Sequence, residues 1–222
     1  MSDGAFDITV APRLVQWGYL PERGQLLPEV KQNGYRAIEL LAGPRVRFGE
    51  PLLIDLGGIA KGYAVDLACD ALEQCGVVDY VVNAGGDLRV GDAPTTVHVR
   101  HPRQPATTLA LGVIQDSAIA TSARYFAGKE EREGLVHPIV APAMAAPAGY
   151  SGSISVRASD CMTADALTKV VAVLGTNAAP VLRRFGAEAV LLLESGKWRR
   201  LSDRPVDPGT LIVSHTATNV AA

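Results

Sequence analysis

A marked excess of either charge is missing from this chain. Its 222 residues carry 21 Lys and Arg against 23 Asp and Glu, a formal net charge of −2. Without a basic excess there is no electrostatic footprint for a nucleic-acid surface. The densest basic group, Lys197, Arg199 and Arg200, reads as a solvated cluster. Cysteine is scarce as well: Cys69, Cys75 and Cys161 form no Cys-x-x-Cys pair and no regular framework. Cys69 and Cys75 fall within one expected helix, too far along it for an easy disulfide. Buried thiols in a reducing compartment are the expectation. Four histidines make no His-rich metal constellation. No apolar run approaches the roughly 18 residues of a membrane span. The opening Met-Ser-Asp-Gly-Ala-Phe-Asp lacks a basic n-region and an apolar h-region. A cytoplasmic protein without a membrane span is expected, and export is reopened if the natural start lies upstream.

What the chain does have is apolar mass. A hydrophobic content of 48% over this length supports a sizeable core. No long Ser/Gly/Pro linker or charge block divides it, so residues 1–222 are expected to form one domain.

A short helix is expected over 10–17, with Pro12 in its first turn. Two short strands follow around the turn at Gly43-Pro44, and a brief apolar strand covers 52–54. After Gly57-Gly58, residues Ala60, Ala64, Leu67, Ala68, Ala71, Leu72 and Cys75 recur at spacings of three and four. That spacing predicts a helix buried on this face and ended by Gly76. Strands are predicted over 77–82, 88–90, 96–100, 108–114, 153–158 and 189–193. Residues 128–152, rich in Gly, Ala and Pro, read mostly as loop. Met162, Ala166, Val170 and Val173 predict a second long helix ending near Gly175, followed by a short one over 177–185. Strands outnumber helices in a mixed order, which favours an α+β fold over a Rossmann sheet.

Four places carry chemistry. At the first, Asp55, Gly57, Gly58 and Lys61 lead from a strand into a helix. The glycines allow positive φ and close approach, the helix start offers N–H groups to an anion, and Lys61 adds a point charge. The spacing matches neither a P-loop nor Gly-x-Gly-x-x-Gly. A plain structural turn before a core helix fits the same residues. Asn83, Gly85, Gly86 and Asp87 make a second polar turn, of a kind that Asn and Asp commonly stabilise locally. Thr121 and Ser122, with Tyr125 and His137, bring hydroxyls and an imidazole to the loop-rich section; a Thr-Ser pair binds phosphate or a flavin edge, or serves as a cap. Finally, Asp160 is placed to cap the second long helix. Asp165 and Thr168 lie on neighbouring positions of it, and carboxylate and hydroxyl are suitable hard ligands for Mg²⁺. From the residues alone, capping and solvation is the leading account of them.

Taken in order, the motifs resemble the ApbE family of FAD:protein FMN transferases. They are Gly4-Ala-Phe-Asp-Ile-Thr-Val-Ala-Pro12 with Trp17-Gly18, Ile54-Asp-Leu-Gly-Gly-Ile-Ala-Lys-Gly-Tyr-Ala-Val-Asp66 and Asn83-Ala-Gly-Gly-Asp87. Thr121-Ser122-Ala-Arg-Tyr125, His137 and Met162-Thr-Ala-Asp-Ala-Leu167 complete the set. The resemblance covers nearly the whole chain. It implies an ApbE-like mixed fold with antiparallel sheets and packed helices. It also implies FAD as substrate, Mg²⁺ as cofactor, and transfer of FMN through a phosphoester bond to a Thr or Ser of a target flavoprotein, with release of AMP. Asp55, Gly57, Gly58, Lys61, Asn83, Gly85, Gly86, Asp87, Thr121, Ser122 and His137 would then line the flavin-nucleotide pocket. Asp165 becomes the catalytic metal carboxylate, with Thr168 as a second metal ligand.

Three departures from the family pattern stand out. The usual N-terminal portion, which supplies part of the FAD wall, is lacking here, so self-association or a second chain completing the pocket is one expectation. The family's threonine four residues after the metal aspartate is Lys169 in this chain, with Thr168 one position earlier. The loop after His137 runs Pro-Ile-Val-Ala-Pro-Ala-Met144 in place of the usual Asp-Pro-Arg-Thr-Gly portion. These departures keep two alternatives in view: a catalytically impaired flavin-binding or regulatory protein, and a structural or interaction protein without flavin.

Overall fold

In the computed structural model, residues 2–24, 27–123, 129–131, 134–202, 211 and 213–219 are described. A short helix α1 (Ala11–Gln16) begins with Pro12 where a missing N–H costs nothing. The hairpin β1 (Ile38–Leu41) and β2 (Arg45–Phe48) follows. Next come α2 (Ala60–Gln74), β3 (Val81–Ala84), β4 (Asp87–Val90), β5 (Thr95–His101), β6 (Gln104–Ile114) and β7 (Ser117–Ala123). Two small ribbons, β8 (Lys129–Glu131) with β9 (Gly134–Val136) and β10 (Val140–Ala141) with β11 (Ala146–Pro147), occupy the stretch expected to be mostly loop. After β12 (Ser153–Ala158) come α3 (Cys161–Leu174), α4 (Ala179–Arg184), β13 (Glu188–Leu192), β14 (Trp198–Leu201) and β15 (Ser214–Asn219).

The central sheet is antiparallel, in the order β14-β13-β12-β7-β4-β3. Side-chain alternation gives it two apolar faces. Ala120, Ile154, Val156 and Ala189 turn toward Leu167, Val170 and Val171 of α3 and Leu182 of α4. Ile119, Val190 and Leu192 turn the other way, against Val97, Val99, Leu109 and Leu111 of the β15-β6-β5 sheet. Helices on one face and a second sheet on the other give the expected α+β arrangement.

Several expectations need correction. No strand forms over 52–54: Pro51 has no N–H, and the segment instead runs to Asp55, whose N–H donates to Ile8 O at 2.8 Å. The strand expected over 77–82 is regular only from Val81, although Gly91 and Asp92 still donate back to Tyr80 and Val78. Two strands that were not expected, β14 and β15, follow the one predicted over 189–193. Helix α2 buries Gly62, Val65 and Cys69, a different face from the Ala/Leu stripe, and Leu67 is 50% exposed. The narrow buried face is one that brings backbone close to α3. Strand β7 was not anticipated, because Ser-Ala-Ile-Ala-Thr-Ser-Ala has little β-propensity. Its small side chains suit the space under α3. Among the described residues no helix is long and apolar enough to cross a membrane.

Candidate flavin-nucleotide site

Backbone geometry explains how three elements meet. A Cβ on Gly62 would lie 2.3 Å from Cys161 O and 2.8 Å from Met162 Cα, so the first turn of α2 touches the start of α3 only because this residue has no side chain. From α2, Asp66 accepts hydrogen bonds from Cys161 N and Met162 N, both at 2.8 Å. Asp160 caps the same helix by accepting from Thr163 N at 2.7 Å, as its position predicted. Two carboxylates thus serve the orphan donors of α3's first turn.

The crossing assembles four charges. Asp165 is fully buried. Its Oδ1 pairs with Lys169 Nζ, and its Oδ2 lies 3.5 Å from Lys61 Nζ and 3.3 Å from Gly62 N. Lys61 also pairs with Asp87, which is 3% exposed. Lys169 Nζ further donates to the Asp165 carbonyl at 3.1 Å. Thr168 Oγ1 donates to that carbonyl at 2.7 Å and shares a 2.7 Å hydrogen bond with Ser122 Oγ. Burial works against the Lys61 ammonium, but the Asp87 hydrogen bond and the Asp165 charge outweigh it and raise its pKa. Burial raises the pKa of Asp87, with Lys61 pulling it back. For Lys169, burial lowers the pKa below the ordinary lysine value against the opposing pull of Asp165.

A cavity of about 400 Å³ opens beside this cluster. Gly57, Gly58, Lys61, Thr121, Ser122 and Lys169 lie on its polar side, while Phe6, Leu14 and Ile139 are among its apolar walls. Asp55, Gly85 and His137 line it too. Asn83, Gly86 and Asp87 are not on this cavity; Asn83 and Gly86 line a second groove that shares Gly85 and Thr121 with it. Arg124 and Tyr125, part of the Thr121 motif, lie outside the described residues.

Individual residues behave differently from their sequence-based roles. Asp55 Oδ1 accepts from Gly57 N at 3.1 Å, and Asn83 Oδ1 from Gly86 N at 2.9 Å, so each carboxylate or amide fastens its own turn. Gly57 and Gly58 do not have positive φ. Gly58 sits in a tight place, since a Cβ there would meet Phe6 Cε2 at 3.2 Å and would need that ring to shift slightly. Positive φ belongs instead to Gly85 (+67°) and Gly86 (+103°), the two-residue loop between β3 and β4. Thr121 and Ser122 stand in β7, not in a loop, and Thr121 Oγ1 lies 2.9 Å from Ser155 Oγ. His137 is buried; its Nε2 is 2.9 Å from Ala148 O and its Nδ1 accepts from Ile139 N at 3.3 Å, which makes it the fastener of the 137–148 loop. The anion that meets the start of α2 at the Gly62 N–H is the protein's own Asp165. The anchoring role of Asp66 was missed, although a carboxylate one turn beyond Gly62 is a signal that was there to be used.

The donor set bears directly on a metal. Both Asp165 oxygens and its carbonyl are engaged by Lys169, Lys61, Gly62 N and Thr168. Among the described residues no group of three or more His, Cys, Asp or Glu could hold an ion. Two carboxylates are already balanced by two ammonium groups, so the residues as arranged do not fit a divalent cation.

Together the fold and the site define an α+β protein with an anion-ready, lysine-lined cavity between a sheet and a helix crossing. The ApbE family model matches residues 1–191, and the chain belongs to that family. The FAD:protein FMN transferase of Vibrio cholerae is 31% identical over 192 residues, which are 79% of this chain and 57% of that protein. The FAD:protein FMN transferase of Rhodobacter capsulatus is 31% identical over 86% of this chain and 39% of its own length. The chain therefore spans only about half the length of these relatives. Among solved structures, the ApbE protein of Thermotoga maritima superposes with a TM-score of 0.75 at 31% identity, covering 91% of this chain and 71% of that one. The flavin transferase ApbE of Vibrio cholerae gives 0.69 at 25% identity, covering 90% of this chain and 69% of that one.

Proposed function

We propose that this chain binds FAD in the cavity beside Lys61 and Lys169 and transfers its FMN half to a Thr or Ser hydroxyl of a target flavoprotein. The observation that carries this reading is the pairing of apolar walls at Phe6, Leu14 and Ile139 with two lysines on one cavity. An isoalloxazine ring suits the first and a pyrophosphate the second. Family membership and the transferase names of the relatives support it.

In the transfer, the acceptor oxygen attacks the phosphorus on the FMN side. The P–O bond to the AMP phosphate breaks, AMP leaves with that electron pair, and the hydroxyl proton passes to water. Charge grows on the phosphate oxygens and on the leaving group, where fixed cations are most effective. Lys61, half-exposed at the cavity, is the group placed to meet that charge. Asp165, wholly buried, acts through the two lysines as a positioning residue. Gly57 and Gly58 allow the ligand close to the backbone, and Ser122 through Thr168 steadies the Asp165 turn of α3.

The test is incubation of the purified protein with FAD and a target carrying the family's Thr/Ser acceptor, read by the mass of the target. A gain of one FMN unit is expected. An unmodified target, under conditions in which the Vibrio cholerae relative modifies it, overturns the transferase reading. FAD binding measured by flavin fluorescence separates a chain that binds without transferring from one that does neither. Lys61→Ala is expected to weaken FAD binding by roughly tenfold, the loss of about one charge-assisted contact.

A further inference from the structure

We infer that Lys169 is a resident cation: its ammonium occupies the place on Asp165 that a divalent metal would take, and flavin nucleotide binds to this chain without metal. The inference rests on the proposed flavin site for its second half only. The first half stands on the carboxylate alone.

Three observations converge. Lys169 reaches Asp165 twice from one helical turn away, by Nζ to Oδ1 and by Nζ to the carbonyl at 3.1 Å. A side chain held at two points has little freedom to leave. Second, the other hard oxygen nearby is not free either. Thr168 Oγ1 is turned onto the Asp165 carbonyl at 2.7 Å and toward Ser122, so the hydroxyl one position before Lys169 holds the helix turn. Third, the charges close. Asp87 and Asp165, 3% and 0% exposed, face Lys61 and Lys169, and among the described residues no other titratable group is hydrogen-bonded or ion-paired to Asp165. An added divalent ion would leave two surplus positive charges beside a dry carboxylate, or would have to expel the ammonium into the cavity.

Lys169 is also on the cavity wall, and its Cε lies 3.5 Å from where a Cβ of Gly58 would be. The same side chain therefore neutralises Asp165 on one side and borders the ligand on the other. A metal does both jobs in a cation-bridged nucleotide site. An ammonium does them with a single charge and no exchangeable waters.

The experiment uses Mn²⁺ as the probe and does not need flavin. Titration of the purified protein, followed by the paramagnetic signal of free Mn²⁺ and by thermal melting, is expected to show no site tighter than about 1 mM and no rise in melting temperature. Lys169→Thr, which removes the ammonium and supplies a hydroxyl, is expected to bind Mn²⁺ at least about tenfold more tightly and to melt higher in its presence. A wild-type protein that takes up one Mn²⁺ with a higher melting temperature, both lost in Asp165→Asn, overturns the inference. So does a folded Lys169→Thr that gains no Mn²⁺ affinity. If Lys169→Thr does not fold, the wild-type titration decides by itself. In a second arm, FAD affinity of the wild type is compared in EDTA and in excess Mg²⁺. Equal affinities are expected, and affinity more than about tenfold greater with Mg²⁺ overturns metal-free binding. No flavin binding in either buffer counts against the proposed flavin site, and leaves the Mn²⁺ result to judge the occupancy of Asp165.

Discussion

Helices α2 and α3 cross at the site, yet they are built on opposite plans. Eight of the 14 residues of α3 are buried, against three of 15 in α2. Helix α3 lies over the sheet with Leu167, Val170 and Val171 in the core, and both Asp160 and Asp66 satisfy its first turn. Helix α2 has no side-chain cap and is held by the seam of Gly62, Val65 and Cys69. The difference decides what each can do with a charge. On the surface helix, Lys61 keeps half its side chain in solvent and remains open to a ligand. On the core helix, Asp165 is dry, so it must be compensated by neighbours and cannot itself touch solvent or substrate.

Changes at the seam should break this contrast most. Gly62→Ala forces a Cβ into the Cys161 backbone, and a loss of about 3 kcal/mol is expected by urea unfolding. A loss below about 1 kcal/mol would mean that the helices part easily and that the crossing does not hold the site together. Leu167→Ala, in the core at 3% exposure, is expected to cost about 2–3 kcal/mol by the same measurement. Asp66→Ala removes the two hydrogen bonds that join α2 to the start of α3. About 1–2 kcal/mol is expected, together with faster amide exchange at Cys161 and Met162. Leu67→Ala should be the smallest, within about 0.5 kcal/mol, because the side chain is half exposed. A large effect there would show that the apolar stripe of α2 is covered in solution.

That stripe is where the sequence misled most. Spacings of three and four found the helix correctly but assigned the wrong side to the interior, because Gly62 carries no hydrophobic signal and yet marks the buried face. Periodicity weighs side chains, whereas this contact is made by backbone. Strands with clear alternation were legible: 153–158 coincides with β12, and 96–100 lies within β5. Strand β7 was not, since its small residues owe their extended form to the neighbours β4 and β12. Of the candidate site residues, Lys61, Thr121, Ser122 and His137 were legible as neighbours in so far as they border one cavity. What the order of motifs did not convey is who bonds whom. Asp55 and Asn83 spend their oxygens on turns, and His137 spends both ring nitrogens on its loop.

The close approach at Gly62 also sets the origin from which Lys61 reaches the site. With no side chain between them, the first turns of α2 and α3 meet backbone to backbone, so Lys61 leaves α2 from a point set by that contact, with its Nζ 3.5 Å from Asp165 Oδ2. The ammonium that would meet an anion is thus placed by backbone packing rather than by the ligand.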